Sequence, residues 1–402
     1  MTEGPGTRLK KRLVICCDGT WNAPDNRHIT NVEKIARTVE IDLRRTGGVQ
    51  QMVLYVSGVG AGSYRVDRLL GGAFGFGLFA NIRSAYRFLA LNYDDGDDVF
   101  VLGFSRGAYT ARSLVGMIGR IGLLTRDALV ADKLSEAEAR YRAGADAASR
   151  FDLPPEEFRR RFCHVDSPVT LLGVFDTVGA LGVPGAVRRR HQFHDVNLSP
   201  IVRTARQALA LDERRLKFEP CLWEASDDVR AADEAAGRVE QVWFSGVHSD
   251  VGGGYERCGL SDTTLLWMVT EARAQGLVFD ERLLEVYLGC GQPAVVNSSL
   301  TAMYRVLNVL SETRMRLSGT GRGFTHGWRR PDPPPDPAKP ERAVGVRIAS
   351  TVVGRFDGDS GYRHPNLVEY ARLVPGFAGH TVEVEALPRS RPDLQRGASA
   401  AG

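Results

Sequence analysis

Three side chains in this sequence have the types and surroundings that acyl transfer requires: Ser105, Asp176 and His248. A serine hydroxyl becomes a nucleophile when an imidazole takes its proton, and the imidazole needs a carboxylate to hold it. Ser105 lies in Gly103-Phe104-Ser105-Arg106-Gly107, a G-x-S-x-G pattern. The apolar run Val99–Leu102 precedes it and Ala108–Gly119 follows with helical character, the strand–turn–helix setting of a nucleophile elbow. Bulk beside the serine would close so tight a turn, and Gly103 and Gly107 supply none. Asp176 ends the apolar run Val169–Phe175, and His248 ends Val242–Val247. The order Ser, Asp, His is that of hydrolases built on a parallel sheet, with room for one or two β–α units between members.

Each role has competitors. Asp250, two residues past His248, and Asp18, at the end of another apolar run, are alternative acids. Among the other histidines, His164 precedes its strand, His191 and His194 fall in an irregular basic segment, and His326 neighbours a proline run. His28, His364 and His380 fall in loops. The oxyanion of a tetrahedral intermediate calls for the backbone N–H after the nucleophile, that of Arg106, plus one from a neighbouring strand end. The short turn at Gly19 and Thr20 suits that part, with Gly58-Val59-Gly60 as the alternative. Asp18, Asp176, His248 and Asp250 together would make a metal set, but their spacing matches no ligand pattern, and no metal or cofactor is expected.

These groups need elements to carry them. Arg12–Cys17 reads as a first strand, unalternating as in a parallel strand covered on both faces. A helix is expected over Asn31–Arg44, a strand over Met52–Ser57 and a helix over Asn81–Tyr93. The glycine-rich stretch Gly58–Gly77 carries Leu69, Leu70, Phe74 and Phe76, so Phe74, Phe76 and the Arg106 side chain are the candidate substrate contacts, with a buried connector as the alternative for the stretch. Charged, alanine-rich Arg126–Phe162 reads as two helical segments parted near Pro154-Pro155. A helix is expected near Ile201–Leu211 inside an otherwise irregular region, and another over Ser261–Gln275, capped by Ser261 or Asp262. Residues 1–328 then form one α/β-hydrolase-like catalytic domain, a mostly parallel sheet flanked by helices, with 126–165 and 182–239 as insertions or a cap. A proline-rich linker spans 329–342, and 343–402 packs on the core and ends in a disordered tail.

The bulk composition is that of a globular protein: 402 residues, 43% hydrophobic, 25% charged, net charge +4. So small a net charge gives no case for nucleic acid, and the arginine runs 159–161 and 188–190 read as solvated faces. The six cysteines show no C-x-x-C spacing and suggest no disulfide framework. The polar start, Met1–Arg12, has no signal-peptide apolar region, and no apolar run is long enough to span a membrane. The expectation is a cytoplasmic protein, with signal-independent export open.

Five ordered segments resemble the DUF2235 family, the α/β-hydrolase domain shared with phospholipase effectors of type VI secretion. They are Cys17–Asn22, Tyr55–Gly60, Gly103–Arg112, Gly173–Val178 and Gly246–Tyr255, and Val346–Val352 and Tyr362–Leu367 are similar to its closing segment. The resemblance implies a Ser–Asp–His esterase acting on acyl esters of glycerophospholipids, with Ser105 as nucleophile, His248 as base and Asp176 as acid. It implies a lipid or small-molecule ester as partner, with peripheral membrane contact. The sequence departs from the family at Ile348-Ala349-Ser350, where a histidine usually stands shortly before the serine. An inactive module of the same fold, binding a lipid or a partner protein, is the alternative.

Overall fold

A computed structural model describes residues 10–19, 28–58, 73–143, 150–178, 198–288, 294–301, 304–305, 308, 324–325, 327–331, 341–358, 362–385 and 387, with the side chains of 73–76 left out. The apolar runs form the strands they predict: β1 (Lys11–Cys17), β2 (Gln50–Val56), β3 (Asp98–Phe104) and β4 (Val169–Phe175). Helices α1 (Asn31–Thr38), α2 (Ala73–Asn92) and α3 (Arg106–Ile121) connect and flank them. After α3 come α4 (Arg126–Val130), α5 (Leu134–Ala143) and α6 (Pro155–Phe162). Next are β5 (Val202–Ala210), β6 (Glu224–Ala225), α7 (Asp227–Ala235) and β7 (Val239–Phe244). The short α8 (His248–Gly252), α9 (Gly259–Ala274) and α10 (Glu281–Leu288) follow. The C-terminal part adds β8 (Phe324–Thr325), β9 (Trp328–Arg329), β10 (Arg342–Ala343), β11 (Val346–Ala349), α11 (Ser350–Asp357), α12 (Pro365–Leu373) and β12 (Thr381–Val382).

Eight strands make one sheet in the order β12-β11-β7-β5-β4-β3-β1-β2, and every pairing within it is parallel. Alternate side chains feed two cores. Leu13, Ile15, Val99 and Val101 pack on one face with Ala85, Tyr86 and Leu89 of α2 and Ala111, Leu114 and Ile118 of α3. Val14, Cys16, Phe100 and Leu102 pack on the other with Ile35 of α1 and Leu265, Met268 and Val269 of α9. Burial on both faces explains why these strands read as unbroken apolar runs. The strand order reverses between β1 and β3, which opens a crevice at their carboxyl ends.

Several expectations are corrected. The stretch Val202–Ala210 is the central strand β5, not a helix. Its alanines, arginines and glutamine favour a helix in isolation, but pairing with β4 and β7 on both sides overrides that preference. The helix from Asn31 stops at Thr38, because Val39 pairs with Phe279 and the Glu40 amide bonds to Val278. Helix α2 starts at Ala73, so the end of the glycine-rich stretch, with Phe74 and Phe76, is helical. Residues 59–72 lie outside the described part. Among the described residues the segment 126–165 holds the three helices α4, α5 and α6 and packs on α3 and α2: Tyr141 bonds to Ser113, Arg159 to Gly119, and Arg126 to Leu91 near the end of α2. Helix α5 also reaches the first half of α2, where Glu138 pairs with Arg83 at 2.9 Å and Arg142 lies over the Phe79 ring. Helix α9 starts after Cys258, and Asp262 pairs with Lys34 rather than capping.

The expected linker and C-terminal segment are also revised. Trp328–Arg329 and Arg342–Ala343 are strands, 332–340 fall outside the described residues, and β11 and β12 extend the main sheet. Among the cysteines, Cys16, Cys17, Cys163 and Cys221 are free but Cys258 is disulfide-bonded, a bond that the spacing did not suggest. Among the described residues no helix is long and apolar enough to cross a membrane.

Candidate active site

The polar groups of interest all stand at the carboxyl edge of the sheet, where a chain leaving a strand has side chains but no further ladder to satisfy. Ser105 follows β3 with φ 57° and ψ −119°. An L-residue holds that backbone only when the surrounding structure enforces it. Two contacts do so here. A Cβ on Gly103 would come within 2.6 Å of Ala108 Cα, and one on Gly107 would overlap the carbonyls of Cys17 and Asp18. The start of α3 therefore presses directly on the end of β1, and the Ser105 amide is pinned by Phe175 O at 3.0 Å.

The Ser105 hydroxyl lies 2.8 Å from His248 Nε2, and His248 Nδ1 lies 2.5 Å from Asp176 Oδ2. This geometry fits the neutral tautomer in which Nδ1–H donates to the carboxylate and Nε2 accepts from the serine. All three residues are buried. The imidazole opens α8 and packs between Phe104, 4.7 Å away, and the edge of Phe218, 5.0 Å away. Glycines let the chain approach this closely: a Cβ on Gly252 would enter the Phe104 ring.

Burial lowers the pKa of His248 and outweighs the opposing pull of Asp176. Burial alone would raise Asp176, but Arg329 and His248 hold it down to about 2. Asp18 and Asp250, the alternative acids, are engaged elsewhere. Asp18 accepts from Gly19 N at 2.6 Å, Thr30 Oγ1 at 2.7 Å and Tyr55 OH at 2.7 Å. Asp250 accepts from Val247 N and from the amide and side chain of Asn297. The metal reading therefore brings together only Asp176 and His248, and among the described residues no group of three or more His, Cys, Asp or Glu side chains is placed to hold a metal ion.

Arg106 is the first residue of α3, where amides have no acceptor within the helix. Its side chain is half-buried, and partial burial brings its pKa down to about 10 against the opposing effect of Tyr304. The Gly19 N–H is taken up by Asp18, while Thr20 lies outside the described residues, as do Val59 and Gly60 and the side chains of Phe74 and Phe76.

Two site residues escape sequence reasoning. Arg329 grips both oxygens of Asp176, at 2.5 Å and 3.1 Å. It stands beside the proline run, where Arg329-Arg330 reads as the start of a linker with no local signal. Glu213 accepts from the His248 amide at 3.2 Å and pairs with Arg215 at 2.8 Å. A signal did exist for Glu213: with Val202–Ala210 read as a strand, Asp212-Glu213 would have stood at a strand end beside the other carboxylates.

A wholly parallel, doubly wound sheet with its polar cluster at the strand ends places the chain among α/β proteins of hydrolase-like architecture. Residues 11–271 match the family described as "T6SS, Phospholipase effector Tle1-like, catalytic domain", and the chain belongs to that family. An uncharacterized protein of Saccharomyces cerevisiae is 29% identical over 226 residues, which is 52% of this chain and 32% of that protein. Among solved structures, an uncharacterized protein from Pseudomonas aeruginosa aligns with TM-score 0.39 and 16% identity, over 68% of this chain and 46% of the other. A Tle1 effector bound to the VgrG spike from the type 6 secretion system aligns with TM-score 0.32 and 20% identity, over 62% of this chain and 52% of the other. The chain thus spans about a third of the yeast relative and about half of each structural neighbour.

Proposed function

We propose that this chain is a serine hydrolase that cleaves carboxylic esters, with acyl esters of phospholipids as the substrate class. The observation that carries the reading is the unbroken chain Ser105 Oγ–His248 Nε2 and His248 Nδ1–Asp176 Oδ2, at 2.8 Å and 2.5 Å, on a serine held at positive φ. In this reading Ser105 Oγ attacks the ester carbonyl carbon while His248 Nε2 takes its proton, and Asp176 holds the resulting imidazolium. The oxyanion is met by the Arg106 N–H and a second amide from a neighbouring strand end; the Gly19 N–H is already taken by Asp18. The intermediate expels the alcohol, here a lysophospholipid, which leaves with the proton from His248. Water, deprotonated by the same imidazole, then attacks the acyl-serine and releases the fatty acid. Contact with the acyl chain is assigned to the start of α2, which carries Phe74 and Phe76, and contact with the anionic headgroup to Arg106. Membership of a family of phospholipase effector catalytic domains supports lipid over other esters.

The test is a screen of vesicles of defined glycerophospholipid classes, read by mass spectrometry for paired release of fatty acid and lysophospholipid. The unmodified protein should release both from at least one class, and Ser105→Ala should release neither. Equal release by the two proteins, or none from any class by either, would contradict the proposal.

A further inference from the structure

The Asp176 carboxylate is saturated. Oδ1 accepts from Ala210 N at 3.0 Å and from Arg329 Nη1 at 2.5 Å, and Oδ2 accepts from Arg329 Nη2 at 3.1 Å and from His248 Nδ1 at 2.5 Å. Four donors fill the four lone-pair sites of a carboxylate, so it has no freedom to rotate. The Arg329 side chain is fully buried and is itself anchored, donating to Ala210 O at 2.8 Å and to Phe218 O. Its backbone is fixed by Asn366 of the C-terminal part, whose Nδ2 donates to Trp328 O and Arg329 O, and the chain just after it by β7, where Trp243 Nε1 donates to Pro331 O. Arg329 also lies beyond residues 11–271, the part of the chain that matches the family.

We infer that Arg329 is a positioning residue of this site, one that locks the Asp176 carboxylate and restrains the basicity it confers on His248. The inference rests on the hydrolase reading of Ser105, Asp176 and His248. The charges around the imidazole give the reason. Asp176 faces it from the end of β4, and Glu213 with Arg215 from the segment after β5. Asp250 of α8 turns away to Val247 N and Asn297. Each facing carboxylate has its own guanidinium, Asp176 with Arg329 and Glu213 with Arg215. With a neutral imidazole the buried set is electrically balanced, and an imidazolium leaves one positive charge in excess. Without Arg329 the balance reverses: the set carries one uncompensated negative charge, and the imidazolium becomes the neutralising form. Arg329 thus keeps His248 a free base into mildly acidic solution.

The experiment uses the full chain with Arg329→Met and Arg329→Lys, assayed on p-nitrophenyl butyrate across the acidic to alkaline range, with folding checked by circular dichroism. Arg329→Met should move the acidic limb of kcat/KM upward by about one pH unit, a loss of about tenfold below the limb that shrinks to a few-fold above it. Arg329→Lys keeps the charge and loses the planar fork, so its limb should stay in place while kcat falls. A folded Arg329→Met whose limb does not move, whatever its rate, would overturn the inference. If that variant does not fold, Arg329→Gln takes its place, and failure of both makes the residue structural and overturns it as well. The His248 imidazole can also be titrated by NMR in Ser105→Ala, with and without Arg329→Met. That upward shift should appear even if the unmodified chain hydrolyses no ester, which separates failure of this inference from failure of the hydrolase reading.

Discussion

At the scale of single residues, the site turns on two backbones held where side-chain-bearing residues seldom go. Ser105 has φ 57° and Asp176 has φ 40°. Both follow fully buried strands, so the ladder up to β3 and β4 holds each residue out at the rim. The histidine between them is shielded by two rings, and burial shifts it toward its neutral form. The sign of the consequence is fixed. A general base works when unprotonated, so a lowered pKa carries the acidic limb of the kcat/KM profile below the ordinary imidazole value of about 6.5. A soluble chromogenic ester measured against pH checks this, and a limb at or above that value would count against the arrangement.

At the scale of elements, legibility followed the kind of burial each segment meets. The runs Leu13–Cys17 of β1, Val99–Leu102 of β3, Leu171–Phe175 of β4 and Val242–Phe244 of β7 are unbroken because both faces are covered, and their ends marked Asp18, Ser105, Asp176 and His248 as residues at or just past strand ends. Strand β5 was illegible because its interior is polar: Gln207 bonds with Thr177, Cys221 and Gln241, and Gln241 also bonds with Trp223 and Val344. A buried amide seam of this kind is stable because each of its groups is satisfied, and no hydrophobic pattern reports it. Arg329 was hidden for another reason, since its partner is 153 residues away and only the folded hairpin brings them together. The elbow itself was read from its glycines, and those carry a prediction. In Gly107→Ala the added methyl meets two backbone carbonyls of the β1 end rather than a movable side chain. The substitution should cost about 1–3 kcal/mol of stability, as overpacking does. Urea unfolding measures this, with slower reaction of Ser105 as the accompanying sign. A stability within error of the parent would mean that α3 does not press on β1 as described.

At the scale of the whole molecule, the reversal of strand order between β1 and β3 sets the Gly19 turn beside Ser105, and the parallel run from β3 to β7 brings Asp176, Glu213 and His248 to the same rim. The family match ends at residue 271, while the sheet continues through β11 and β12 and the site takes Arg329 from the C-terminal part. One prediction stands above the others: Ser105 is the residue that reacts. Exposure of the full chain to a fluorophosphonate, followed by peptide mass spectrometry, should place a single phosphonyl adduct on Ser105, lost in Ser105→Ala and in heat-unfolded protein. No adduct on the native chain, or an adduct that persists at another residue in Ser105→Ala, would contradict it.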